Sequence, residues 1–440
     1  MNANDGYTNY LSSFPKFEKN AALADVPWLS QIRNSAISQF ERTGFPTMRD
    51  EEWRFTNVSP IAQIPFQPVE GSCHGLAAAD IANFGFSDSE CAQLVFVDGR
   101  YCENFSCVQD LTDGTRVMNL SRALREEPDL LQAQLARQAS GNQNAFAALN
   151  TAFMADGAFV YIPPGRIGKN FIYLLYLSTG RAEPTVSFPR NLIVAGRGSQ
   201  AKIVESYAGT GDGLYFTNSV TEIVMEEGAV LDHYKLQRES EDAFHIASMH
   251  ALQGRDSNLK AHSLSLGGFI VRNDVHVTLN DQGADCILNG LYVTKGRQHV
   301  DNHTSIDHAM PNCTSRELYK GILDDKSSGV FTGRIMVRKG AQKTNAKQVN
   351  KNLLLSESAL VNTKPQLEIF ADDVKCTHGA TIGRLDDEAL FYLRSRGIEE
   401  SSARTLLTYA FATEILSEVQ IKPIQCQLDL VMLSRLARVS

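Results

Sequence analysis

Ala229-Val230-Leu231-Asp232-His233-Tyr234-Lys235-Leu236, preceded by Gly228, is one of a long series of short β-rich runs that fills the chain from Ala158 to about Ile382. Other members are Phe171–Leu177, Asn191–Ala195, Val220–Met225, Val275–Leu279, Ala284–Leu288, Gly333–Val337, Leu353–Leu355 and Gln366–Phe370, punctuated by Gly, Asn and Asp. The 3.6-residue period of a helix is almost absent from this region, and runs of this length between turn residues read as strands. More than 200 residues of such a pattern suit either a large sandwich or a solenoid. The Gly-Ala steps 228–229, 283–284 and 340–341 lie 55 and 57 residues apart. Near-equal spacing is what stacked coils produce and what a sandwich does not require, so the pattern favours a parallel β-helix.

Helical signals lie on both sides of this core. From Ala21 to Glu41 the residues Leu23, Val26, Leu29, Ile32, Ile37 and Phe40 recur at helical intervals, and Thr43-Gly44-Phe45-Pro46 stops the segment. Asp129 to Met154 is rich in Ala, Leu and Gln and breaks near Gly141-Asn142. A short strand is expected at Leu94–Val97. After Leu385 the helical period returns, with Asp386 as a cap and Gly397 as a stop, and further helices are expected over Ala403–Val419 and Pro423–Leu433. The expected organisation is mainly β with helical ends: an N-terminal helical and mixed domain over 1–157, a parallel β-helix core over 158–384 and a C-terminal helical domain over 385–440.

The chain has 440 residues, enough for about three domains at ~150 residues each. With 43% hydrophobic and 21% charged residues it has the balance of a folded globular protein. Its formal net charge of −8 and the lack of a long Lys/Arg run argue against nucleic acid as a partner. Phe171–Leu177 falls far short of the ~20 apolar residues that cross a bilayer, so no membrane association is expected. The first 30 residues carry Asp5, Glu18 and Asp25 and no apolar run, unlike a secretion signal or a transit peptide. A cytoplasmic location is expected, with the eight scattered cysteines as thiols.

Several motifs bear on chemistry. Gly196-Arg197-Gly198-Ser199-Gln200-Ala201 matches a dinucleotide fingerprint, but that mechanism needs a helix N-terminus behind it and Lys202-Ile203-Val204-Glu205 reads as a strand. No GxxxxGK[ST] run occurs, so the chain is not expected to hydrolyse ATP itself. His299, His303, Asp307, His308 and Cys313 contain enough imidazole and carboxylate to hold a metal, or are polar residues laddered between coils. No HExxH or nucleophile elbow supports hydrolysis. In Ala371-Asp372-Asp373-Val374-Lys375-Cys376-Thr377-His378-Gly379-Ala380-Thr381, Cys376 and His378 share one face of an extended strand. A thiolate beside an imidazole suits zinc or iron, and the alternative reading is that the two side chains are packing groups only. Two ligands do not complete a site, so a partner chain, water or a substrate sulfur would supply the rest.

That run, together with Pro365-Gln366-Leu367-Glu368-Ile369 before it and Leu390-Phe391-Tyr392-Leu393-Arg394-Ser395-Arg396-Gly397-Ile398 after it, closely resembles the SufD branch of the SufB/SufD family. This family serves the Suf system of iron-sulfur cluster assembly. His299-Val300-Asp301-Asn302-His303-Thr304, Cys313-Thr314-Ser315-Arg316-Glu317-Leu318-Tyr319-Lys320-Gly321-Ile322 and Glu51-Glu52-Trp53-Arg54-Phe55-Thr56 extend the resemblance over nearly the whole chain. SufB members carry Glu-His-Glu where this chain has Thr377-His378-Gly379, which places it on the SufD side.

The resemblance implies a right-handed parallel β-helix with helical regions at both ends. It implies a scaffold rather than an enzyme, within a SufB–SufC–SufD complex that builds nascent clusters on SufB and passes them on. ATP hydrolysis would belong to SufC, an ABC-type ATPase, with no nucleotide bound by this chain. SufC would dock on the C-terminal helices, in a region that includes Asp386, Leu390, Phe391, Tyr392, Arg396 and Gly397. SufB, or a second copy when the chain is isolated, would pair with the β-helix near its C-terminal end. His378 and its neighbour Cys376 would form a half-site for iron or a transient cluster shared with SufB. The rival readings are a β-helix enzyme acting on polysaccharide, which would be secreted, and a purely structural interaction protein.

Overall fold

Strands in the middle of the chain pair with the strand two further on, always in parallel, and not with their neighbours in sequence. The computed structural model describes residues 5–20, 26–69, 76–77, 80–81, 83–86, 91–108, 114–139, 144–211 and 213–436. One sheet stacks Ala158–Ile162, Arg190–Ala195, Tyr215–Met225, Phe244–Gln253, Ile270–Leu279, His299–His308, Ser328–Val337 and Leu360–Ile369. The second stacks Cys91–Val97, Phe171–Ser178, Gln200–Gly209, Val230–Arg238, Asn258–Ser265, Asp285–Thr294, Thr314–Leu323, Asn345–Leu354 and Lys375–Gly383. The chain thus coils between two parallel sheets, which is a parallel β-helix. All the β-rich runs expected from the sequence fall on these strands. Gln200–Gly209 is a strand, so the GxGxxA run has no helix behind it to hold a pyrophosphate.

The coil length explains the glycine spacing. Val230, Asn258, Asp285, Thr314, Asn345 and Lys375 occupy one register row, 27 to 31 residues apart. Two residues before each of the first five, the backbone turns through positive φ at Gly228 (67°), Asp256 (52°), Gly283 (76°), Asn312 (59°) and Lys343 (62°). Between this turn and the strand sit Ala229, Ser257, Ala284, Cys313 and Thr344, small and buried, where the chain rounds the corner. The step from 228 to 283 is therefore two coils. Gly340 lies outside the ladder, three residues before the equivalent Lys343. Asp, Asn and Lys occupy the left-handed slot in three of these five coils, so the true repeat is not written in glycine.

The lumen is filled by side chains. Leu231, Leu259 and Cys286 form one buried inward row, and Phe96, Tyr176 and Tyr207 stack with centroids 4.8 and 4.9 Å apart. Polar side chains share this interior: Glu205 Oε1 lies 2.9 Å from His233 Nε2, and Lys235 Nζ donates to Asn273 Oδ1 at 2.5 Å. Burying these four groups is tolerated because each has a partner.

Helices cover both sheets. The N-terminal helices Asp5–Asn20 and Pro27–Thr43 and the helix Ala145–Phe153 cover the first sheet, with Tyr10, Phe40, Phe146 and Phe153 in one cluster with Phe188, Phe216, Phe244 and Ile270. The helix expected over Ala21–Glu41 corresponds to Pro27–Thr43, and 21–25 lie outside the described residues. The Asp129–Met154 segment holds the helices Pro128–Gln134 and Ala145–Phe153, and the expected break at 141–142 also lies outside them. Asp5–Asn20 is a helix that the sequence reading does not include, and it carries Pro15 inside it. At the other end Glu400–Leu416 and Lys422–Leu436 bury Ala412, Ile415, Leu416 and Leu428 in one cluster with Leu236, Leu264, Leu291 and Ile322 of the second sheet. Among the described residues no helix is long and apolar enough to cross a membrane. Among the described residues Cys286, Cys313, Cys376 and Cys426 are thiols, while Cys102 is disulfide-bonded, so the expectation of thiols throughout does not hold there. Cys73 lies outside the described residues.

Candidate functional site at the open end of the solenoid

The strand Lys375–Gly383 is the last of its sheet and has a neighbour, Asn345–Leu354, on one side only. The turn that leads into it is fixed by Gln342, whose Nε2 donates to Asp372 Oδ1 at 2.7 Å and whose Oε1 accepts from the Asp373 N–H at 2.9 Å. Cys376 pairs in register with Ala346, and His378 with Gln348. Ala346 and Gln348 are fully buried and face the lumen, and in-register residues of a sheet share a face. Cys376 and His378 therefore occupy the inward row of the last coil, side by side. No further coil covers them: Cys376 is half-buried against Ile335, Val337, Ala341 and Ala346, and His378 is exposed. Burial raises the Cys376 thiol above its ordinary range, so ligation there has to displace a proton. Among the described residues no group of three or more His, Cys, Asp or Glu side chains converges on a point that could hold a metal ion. Below His378 in the same row lie Gln348 and then Glu317, whose carboxyl burial raises to about 7.

The second metal candidate in the sequence does not assemble. His299 Nε2 lies 2.9 Å from Thr56 Oγ1 and its Nδ1 lies 2.7 Å from Ser328 Oγ. Asp307 takes Arg338, His308 Nε2 meets Ser315 Oγ at 2.9 Å, and the Cys313 thiol donates to the Asp281 carbonyl at the coil corner. Spacing explains the scatter: His299, His303 and Asp307 share a face but stand four residues, ~13 Å, apart along the strand, His308 faces the other side, and Cys313 lies beyond the strand. These residues are ladder and corner groups.

One constellation was not foreseen. Arg272 Nη1 donates to Asp301 Oδ2 and to the Glu52 carbonyl, both at 2.7 Å, and its guanidinium lies 3.8 Å from the Trp53 ring centre. His303 contacts Asp301 Oδ1 at 3.0 Å and Glu52 Oε2 at 3.2 Å. Thr56 donates to Asp301 Oδ2 at 2.5 Å. This network fastens residues 51–56 to the outer face of the first sheet. The only signal in the sequence is the alternation of His299, Asp301 and His303, which puts three polar side chains on one face.

The strand Lys375–Gly383 leads through Arg384–Asp386 into the helix Asp387–Ser395. Asp386 Oδ1 caps this helix by accepting from the N–H groups of Glu388 and Ala389 at 2.9 and 3.3 Å. No residue of the helix is buried. Phe391 is 73% exposed and Tyr392 56%, Leu390 is half-buried, the Arg396 guanidinium lies 5.2 Å from the Tyr392 ring centre, and Gly397 ends the turn at φ 84°. Two adjacent aromatic rings thus stand in water on this short helix.

A parallel β-helix with helices on both sheets and an uncovered last coil defines a solenoid whose end can meet another molecule. Residues 176–411 match the SufBD core domain of SUF-system FeS cluster assembly, and residues 4–173 match the SufBD protein N-terminal region. The chain is 36% identical over 404 residues to an iron-sulfur cluster assembly SufBD family protein of Synechocystis, covering 90% of this chain and 88% of that one. It is 32% identical over 382 residues to the iron-sulfur cluster assembly protein SufD of Escherichia coli, covering 86% of each. It is also 33% identical over 408 residues to the chloroplastic protein ABCI7 of Arabidopsis thaliana, covering 91% of this chain and 84% of that one. The chain belongs to the SufBD family of iron-sulfur cluster assembly proteins.

Proposed function

We propose that this chain is a non-catalytic scaffold subunit of a SufB–SufC–SufD complex, in the SufD position. One observation carries the reading: Cys376 and His378 stand side by side on an edge strand with one free side, in the uncovered last coil of the solenoid. They form a half-site for iron or a nascent cluster, which is cargo here, and SufB supplies the remaining ligands across the interface. Covering the last coil removes the site from water and oxygen while the thiol and imidazole are engaged. The exposed Asp387–Ser395 helix docks the SufC ATPase, with Leu390, Phe391, Tyr392 and Arg396 as the contact and Asp386 and Gly397 fixing its ends. Residues 1–157, 158–384 and 385–440 act as helical cover, β-helix core and docking region of a cytoplasmic protein. The chain itself binds no nucleotide.

The test is co-expression with SufB and SufC of one source, followed by anaerobic reconstitution with iron and sulfide. His378→Ala is expected to leave the complex assembled and to lower the cluster yield at least tenfold. Failure of the wild-type chain to join the complex, or an unchanged yield in the variant, would sink the reading.

A further inference from the structure

Behind Cys376 and His378 the inward row runs into the lumen as Gln348 and then Glu317, each one coil deeper. Gln348 is fully buried, and its Nε2 donates to Glu317 Oε2 at 2.7 Å. Its Oε1 is also buried and has no hydrogen-bond partner among the described residues. Leaving a buried acceptor unpaired costs ~1–3 kcal/mol, so a native fold that keeps one calls for an explanation. The carboxamide is held at its Nε2 end by Glu317. On the opposite sheet a side chain at Gly333 would come within 2.2 Å of Gln348 Nε2, so a glycine there reserves the space that the amide fills. The next residue of the row towards the open end is His378, whose ring carries N–H donors.

We infer that Gln348 is a positioning residue for His378: its Oε1 accepts the N–H of one ring nitrogen and fixes the tautomer that leaves the other nitrogen free to bind metal. Glu317 holds the carboxamide in this sense by accepting from Nε2. The inference rests on the reading of His378 as a metal-binding group and adds what sets its geometry. A ligating imidazole generally donates its second N–H to a fixed acceptor, and loss of that acceptor typically weakens metal binding 10- to 100-fold.

The test uses the full chain labelled with ¹⁵N in histidine, whose ring nitrogen shifts report the tautomer. The wild type is expected to hold His378 in one neutral tautomer. Gln348→Leu, which removes the acceptor, and Gln348→Asn, which withdraws it by a methylene, are expected to give a mixture of both. The Asn variant keeps the test open if the Leu variant does not fold. Anaerobic titration with Co(II) is expected to show a 10- to 100-fold weaker affinity and an altered ligand-field spectrum in both variants. A wild-type His378 already in tautomeric equilibrium, or a variant indistinguishable from it, overturns the inference. The two readings fail separately: His378→Ala binding Co(II) like the wild type would remove the metal role and leave the tautomer result standing.

Discussion

A buried imidazolium fastens the N-terminal segment to the solenoid. Burial opposes the charge on His303, but Asp301 against one ring nitrogen and Glu52 against the other prevail, and its pKa is raised from 6.5 to about 9. His303 and Arg272 in turn hold Asp301 well below the usual carboxylate range despite its burial. Because the folded pKa of His303 lies above the unfolded one, its stabilisation is complete below pH ~6.5 and is lost as pH rises through about 9. The loss is on the order of 3 kcal/mol, at ~1.4 kcal/mol per pKa unit. Urea unfolding at pH 6.5 and 9.5 should show this fall in the wild type. In His303→Gln the protein should start less stable and stay flat across the window, and a parallel fall in both would refute the assignment. At this scale the sequence disclosed neighbours two apart, such as Cys376 and His378. It concealed Glu52 with His303 and Gln348 with His378, because partners in those pairs meet only once the coil length and the N-terminal cover are known.

Each coil is held in register by a corner, and the corner has two parts with different demands. A left-handed residue makes the turn, and a small buried residue follows it into the strand. Gly283 occupies the turn at φ 76°, and a Cβ there would come within 2.0 Å of Asp256 Oδ1 in the coil before. Gly340 has open space around it and lies outside the ladder. Gly283→Ala should therefore destabilise by about 1–2 kcal/mol from backbone strain alone, with more from the contact. Gly340→Ala should change stability by less than ~0.5 kcal/mol. Equal losses by thermal or denaturant unfolding would show that the corner register is misassigned. The same contrast shows how far the fold was legible. Short β-runs over a long stretch left a sandwich or a solenoid, and the Gly-Ala spacing that favoured the solenoid belongs to the repeat only in its first interval. The repeat itself was hidden by the residues that share the turn, and strands such as His299–His308 lack apolar alternation because helical cover and a polar lumen accept polar groups on both faces.

Across the whole molecule, the covered sheets and the bare end divide the surface into stable and unfinished parts. Leu360, Ile369, Phe370 and Ile382 are 59, 40, 64 and 52% exposed, all on or next to the last two strands. Each of those strands also presents an unpaired edge, the feature that folded proteins usually blunt or cover. Three residues separate the last strand from the exposed helix Asp387–Ser395, so the proposed surfaces for SufB and SufC are adjacent yet made of different elements. Two outcomes are expected from one substitution pair. Phe370→Glu with Ile382→Lys places charge on the bare coil without touching the core, so circular dichroism and melting should stay as in the wild type. Sedimentation equilibrium should show the wild type self-associating through its open ends and the variant monomeric. The variant should also fail to co-purify with SufB while retaining SufC, because the rings of Phe391 and Tyr392 are unchanged. A variant that still pairs with SufB would place that interface elsewhere on the solenoid and would separate Cys376 and His378 from it.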